Sequence, residues 1–293
     1  MQAVLILAHT APEHVIRLSK LMQQYFEIYI HFDKKMPLSE EYKQKMDMMG
    51  IHYFQEISVN WGGWSIAGAA EFLMQEAMKN PKITHIHIIS GQDWPVMNIK
   101  DIYDFYEDNP NLYIQCCPAK GVEKSGQPII LWQKYYYNFD KINRRTTFGK
   151  IYHRLLMAVQ TLIGVDKFKK LKIDMELYQG ANWMDLPRDA VEYVLEYFHS
   201  HPNVQKLFKT GFCPDEFWVQ TILYNSMFRE RIVSNHHRYI LWEERYNSYP
   251  AILDKNDVSN IILGEHHFCR KVVPKISDDF IIEINERVGN LEL

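Results

Sequence analysis

Cysteine is scarce in this chain: four residues at positions 116, 117, 213 and 269. That number and spacing fit neither a disulfide framework nor a zinc site, so free thiols in a reducing cytosol are expected. No segment approaches the roughly 20 continuous apolar residues needed to span a bilayer. Met1–Ala8 lacks the basic region and long apolar stretch of a signal peptide and reads as a buried strand. A cytoplasmic location follows as the expectation. Charge of one sign is also missing: 33 basic against 36 acidic residues give a formal −3, with no global attraction to nucleic acid. Gly-x-Gly-x-x-Gly after the first strand and a Gly-Lys-Ser/Thr loop are both absent, which disfavours a dinucleotide oxidoreductase and a P-loop kinase. No predicted apolar strand ends in an Asp-x-Asp pair; Asp278-Asp279 lies in what reads as a polar tail. His236-His237 and His266-His267 point to opposite faces if they lie on strands, so no metal site is expected. No repeat, low-complexity linker or domain boundary interrupts the chain.

What is present suits a large core: 47% of residues are apolar and 14% aromatic, including 18 tyrosines and 7 tryptophans. Val4–Ala8, Tyr29–Asp33, Ile51–Ser58 and His85–Ile89 read as strands, and His14–Gln24, Ile66–Met78 and Ile99–Tyr106 as helices. This alternation predicts a Rossmann-like, mostly parallel sheet flanked by helices, with residues 1 to about 115 as a nucleotide-binding half. His9 and Asp33 then lie at the sheet's C-terminal edge, where ligands bind. Further on, Gln127–Asn138 is β-prone, and Phe148–Lys172 reads as one amphipathic helix. Its basic end (Lys167, Lys169, Lys170, Lys172) reads first as a solvated face and alternatively as a contact with an anionic membrane. Tyr178–Leu186 reads as a strand, and Arg188–Phe198 as a helix.

The chain reads as organised around no glycine loop but around Gly211-Phe212-Cys213-Pro214-Asp215-Glu216-Phe217-Trp218, two adjacent carboxylates at the start of an aromatic stretch. Pro214 at a first helical position and acids in the first turn are ordinary helix-start chemistry. A helix start also holds an acid still for proton transfer. Without a metal, a diphosphate leaving group needs cationic side chains, and Arg270-Lys271 are the best placed.

Ala8-His9, His31-Phe32-Asp33-Lys34-Lys35, Trp61-Gly62-Gly63-Trp64-Ser65, Ser90-Gly91-Gln92-Asp93-Trp94-Pro95, Gly180-Ala181-Asn182-Trp183, Pro214-Asp215-Glu216 and Phe268-Cys269-Arg270-Lys271 follow one another in order. As an ordered set over residues 3 to 275, the chain resembles the core-2/I-branching β-1,6-N-acetylglucosaminyltransferases, which share a family with peptide O-xylosyltransferases. It is similar to a short bacterial member without membrane anchor and stem. The resemblance implies a single GT-A type domain, with residues 116–275 as the acceptor-binding and catalytic half. It implies inverting, metal-independent transfer from a UDP-sugar, foremost N-acetylglucosamine, to a glycan or lipid-linked glycan in bacterial surface polysaccharide synthesis. No cofactor is implied. Glu216 matches the family's catalytic base, and Lys271, with Arg270 before it, the diphosphate-binding lysine. Ala8, His9 and Asp33 match the nucleoside side, with Trp61, Ser65 and Asp93 assigned to the donor. Trp242 matches an acceptor-site tryptophan, where core packing is the equal alternative, and Lys134 is a further acceptor candidate. A xylosyl donor and a catalytically silent sugar-binding scaffold are the alternative functions.

Overall fold

The computed structural model describes residues 1–124 and 126–291. Chain contacts divide them into two compact units, each discontinuous in sequence. Residues 1–56, 76–110 and 236–293 form the first, and residues 57–75 and 111–235 the second.

In the first unit, four parallel strands lie in the order His52–Phe54, Phe26–Phe32, Gln2–Ala8, His85–Ser90. Val4, Leu5, Ile6, Ile30 and Ile86 are fully buried, as the largely apolar sequences of these strands, unbroken from Ala3 to Ala8, require. Helix Pro12–Met22 starts on a proline and buries Val15, Leu18, Leu21 and Met22. Helix Ile99–Tyr106 is capped by Asn98, whose side chain accepts from Lys100 N, and it buries Ile99, Ile102 and Tyr106 at helical spacing. A smaller sheet joins Phe268–Arg270 to Arg238–Ile240 in parallel and to Asp93–Pro95 in antiparallel.

The second unit pairs Leu112–Ile114 antiparallel with Met184–Pro187 and parallel with Ile232–Val233. Helices Arg188–Ser200, Pro202–Lys209 and Trp218–Tyr224 supply its aromatic core, where Trp64 stacks on Phe198 at 4.9 Å and meets Trp218 edge-on. The mixed α/β class with a mostly parallel sheet between helices is therefore present.

Several local expectations change. The supposed polar tail is a helix, Asp278–Val288, because Phe280, Ile281 and Ile284 form a stripe that packs inward, and it ends on Gly289 at φ 72°. Gln127–Asn138 is not a strand: only Gln127–Pro128 pairs, and a helical turn, Leu131–Lys134, follows. Tyr178–Leu186 splits into the strands Tyr178–Gln179 and Met184–Pro187. Phe148–Lys172 is two helices, Thr147–Leu162 and Lys167–Leu171; left-handed Gly164 separates them and Asp166 caps the second. Among the described residues, no helix is long and apolar enough to cross a membrane. All four cysteines are free.

Lys167 is not part of a solvated basic face: it is fully buried. Its Nζ donates to Leu207 O at 2.8 Å and lies 3.3 Å from Thr210 Oγ1. Burial pushes its ammonium down to about 7. Between that value and the ordinary lysine range, the unfolded chain keeps a proton that the native state has shed, so stability rises with pH there. Wild-type unfolding free energy should climb by about 2 kcal/mol from pH 7 to 9, and Lys167→Met should flatten that climb. Urea denaturation across the window measures both; an equal slope in the variant would show that the rise comes from elsewhere.

Candidate active site

In the first unit, parallel register gathers strand ends at one edge. Ala8 lies opposite Phe32 and Leu7 opposite Ser90. Asp33 N donates to Ala8 O at 2.8 Å, and Gly91 N to Leu7 O at 2.9 Å. Ala8, His9 and Asp33 thus share the C-terminal edge of the sheet, the ligand-binding edge of such folds. Ala8 is buried and His9 exposed. The Asp33 carboxylate accepts from Lys35 N at 3.0 Å, with Lys35 Nζ 3.6 Å away.

Asp93 and Arg270 face each other because their strands pair in register. Asp93 is fully buried; its Oδ2 accepts from Ser90 N at 2.8 Å, and its Oδ1 lies 2.9 Å from Arg270 Nη1. Arg270 Nη1 also donates to Ser90 Oγ. The guanidinium is therefore matched by a buried acid. Lys271, one residue on, differs: its Nζ donates to Ser248 Oγ at 3.3 Å, and among the described residues it forms no ion pair. Burial, followed by the neighbouring Arg270 charge, pulls its ammonium below the usual lysine range. A half-buried cation without a counter-charge is a site suited to an anion. Trp242 is 59% exposed, its ring 5.7 Å from that of Tyr249, so core packing is not its role.

In the second unit, left-handed Cys213 (φ 45°) leads into a single 3-10 turn, Pro214–Glu216, and the α-helix begins only at Trp218. Pro214 therefore starts a separate turn. Asp215 caps neither element: it lies inside the turn, buried, and its Oδ1 has no hydrogen-bond partner among the described residues. Burial, reinforced by the Glu216 charge, pushes its carboxyl up to about 7. Glu216 keeps 29% of its side chain exposed, and its Oε2 lies 2.8 Å from Lys124 Nζ. The backbone is fixed as well, because Gly180 N donates to Glu216 O at 2.9 Å. Any side chain at 180 would bring its Cβ to 1.7 Å from Gln115 O, so only glycine permits this approach.

The Trp61–Ser65 stretch, whose last two residues begin the helix Trp64–Met78, is fastened to the same segment. Cys213 N donates to Gly62 O at 3.0 Å, and Gly62 (φ 80°) lies so near the Phe212 ring that a Cβ would meet it at 2.6 Å. Trp61 is 50% exposed, edge-on to Phe212 at 5.5 Å, and Ser65 Oγ donates to Asp140 Oδ1 at 2.5 Å. Trp61 and Ser65 thus lie in the unit of Glu216, whereas the other donor candidates lie in the first. The acceptor candidates divide too: Lys134 is in the second unit, 3.8 Å from Asp166, and Trp242 in the first.

Lys124, Ser248 and Asp140 were invisible to sequence reasoning, because nothing local links Lys124 to a partner 92 residues away. One histidine of each pair packs at Tyr106: His237 and His267 lie 4.2 Å apart, and both approach its buried hydroxyl through Nδ1, at 3.2 and 3.0 Å. Among the described residues, no three His, Cys, Asp or Glu side chains converge on a metal position.

Known proteins bear on this arrangement. A curated relative, "Xylosyltransferase sqv-6" of Caenorhabditis briggsae, is 23% identical over 218 residues, 73% of this chain. The chain spans only 25% of that protein's length. Among solved structures, the WbbM bifunctional glycosyltransferase superposes over 99% of this chain and 50% of its own, with TM-score 0.41 and 10% identity. A glycosyltransferase involved in glycosylation of the major capsid of PBCV-1 matches over 99% and 100%, with TM-score 0.37 and 10% identity. The model of the core-2/I-branching enzyme family matches residues 8–262, and this chain belongs to that family.

Proposed function

We propose that this chain is an inverting, metal-independent glycosyltransferase. It moves a sugar, N-acetylglucosamine foremost, from UDP to a hydroxyl of a glycan or lipid-linked glycan during bacterial surface polysaccharide assembly. The observation that carries this reading is the family match across 8–262, which includes Pro214-Asp215-Glu216. Glu216 is supported as base by being the accessible acid of that pair, anchored by Lys124 and by Gly180. It takes the acceptor proton as the oxygen attacks the anomeric carbon opposite UDP, and the bond to the diphosphate breaks with its electron pair on phosphate oxygen. Lys271 supplies the positive charge that stabilises this leaving group in place of a metal. Arg270 is committed to Asp93 and orders that segment. Exposed Trp242 offers an indole face for an acceptor sugar ring.

A xylosyl donor is the second reading, favoured by the name of the curated relative. A thermal-shift series with UDP, UDP-N-acetylglucosamine, UDP-xylose and GDP-sugars should show stabilisation by UDP compounds alone and rank the donors. A response to none would favour a silent sugar-binding scaffold. Transfer assayed in EDTA should match transfer with Mn²⁺; UDP binding or activity that appears only with Mn²⁺ would overturn the metal-free mechanism.

A further inference from the structure

The helix Thr147–Leu162 is turned inside out. Its buried residues are Gly149, His153 and Gln160. The polar two are held by backbone: His153 Nε2 lies 3.2 Å from Ile142 O, while Gln160 accepts from Tyr136 N at 2.8 Å and donates to Tyr136 O at 2.9 Å. Facing water are Phe148, Ile151, Leu155, Val159, Leu162 and, just beyond the helix, Ile163, each between 53% and 86% exposed. At about 100° per residue these six positions share an arc of about 120°. The stripe runs the helix's length of about 24 Å. Soluble surfaces seldom carry a contiguous apolar stripe of this size without something to cover it.

Charge identifies what covers it. From Lys141 to Lys172 there are nine Lys and Arg and one acid, Asp166, a net of +8; since the whole chain is −3, the remainder carries −11. All nine basic residues except Lys167 are exposed. A second copy using the same face would set +8 against +8 in a two-fold contact. A surface of anionic lipid satisfies both features at once, taking the apolar stripe below its headgroups while Arg154, beside the stripe, and the long basic side chains of the flanking segments meet its phosphates.

We propose that the helix Thr147–Leu162 docks the protein on an anionic membrane, lying in the interfacial plane with Phe148, Leu155 and Leu162 inserted. The docking is independent of the sugar-transfer reading. Co-sedimentation of the full chain with vesicles tests it, using phosphatidylcholine alone or mixed with phosphatidylglycerol. Binding should occur on the mixed vesicles and weaken with salt. Arg154→Glu, the basic residue of the helix nearest the stripe, should reduce it by about fivefold or more. Leu155→Glu/Leu162→Glu should abolish it while the melting temperature holds, since both leucines already face water; Ile151→Asn provides a milder second variant. Absence of binding, or equal binding to both vesicle types without a salt effect, would overturn the proposal. So would a dimer seen by light scattering that Leu155→Glu/Leu162→Glu dissociates, because a second copy would then cover the face.

Discussion

Glu216→Gln should lower turnover by about a hundredfold or more and leave UDP affinity within about twofold. Glutamine has the same shape, and its carbonyl oxygen can still accept from Lys124 Nζ, which lies 2.8 Å from Glu216 Oε2 in the native side chain. The 3-10 turn and the Gly180 contact are backbone features and should survive. What is lost is the capacity to take a proton. Single-turnover transfer rates and UDP titration on the same preparation separate the two quantities, and near-normal turnover would remove Glu216 from the chemistry. Asp215→Asn is the informative partner. Its folded carboxyl stands at about 7 against about 4 unfolded, so between those values the native state keeps a proton that the unfolded chain releases. Stability contributed by this group is therefore full at low pH and falls as pH rises towards 7. The asparagine variant should gain on wild type at pH 8, by at most about 4 kcal/mol, and match it near pH 4. If instead Asp215→Asn abolishes transfer and Glu216→Gln does not, the buried acid is the base.

Lys271→Met should weaken UDP binding and transfer by about a hundredfold each, a typical loss for one charged stabiliser of a developing anion. The fold should not suffer, because among the described residues the lysine forms no ion pair and its half-burial already pulls it below its usual range. Ser248 keeps its bond to Pro250 O at 2.9 Å. A variant as stable as wild type yet unable to bind UDP would mark Lys271 as a ligand for anions. Unchanged UDP affinity would refute that role. Arg270→Ala makes the contrast: it strands fully buried Asp93 without its cation, a change that typically costs about 3–5 kcal/mol. Lost activity in that variant has to be read against lost stability, measured by urea unfolding.

Much of the first unit was legible along the chain. The buried strand Gln2–Ala8 is apolar on both faces from Ala3 on, His85–Ser90 keeps its isoleucines, and Ile99–Tyr106 carries its stripe within eight residues directly after the cap Asn98. Helix Glu40–Met49 escaped notice: it buries only Met46, and its signals were the flanking Ser39 and Gly50 caps. The Gln127–Asn138 reading failed because aromatic residues there pack around Phe212 instead of pairing as a strand.

By itself, the sequence determined the order of motifs, and with it the family, because motif chemistry depends on residue type and local spacing. It also determined which acids and cations were available. Tertiary structure alone decided how they divide. Asp93 and Arg270, 177 residues apart, neutralise each other because two strands pair in register, whereas Lys271, the next residue, meets no carboxylate among the described residues. Asp215 and Glu216 are neighbours in sequence, yet burial makes one a raised, inaccessible acid and exposure leaves the other able to meet a substrate. Side-chain charge is a local property, but its solvation and its partner are set by residues that only folding brings near.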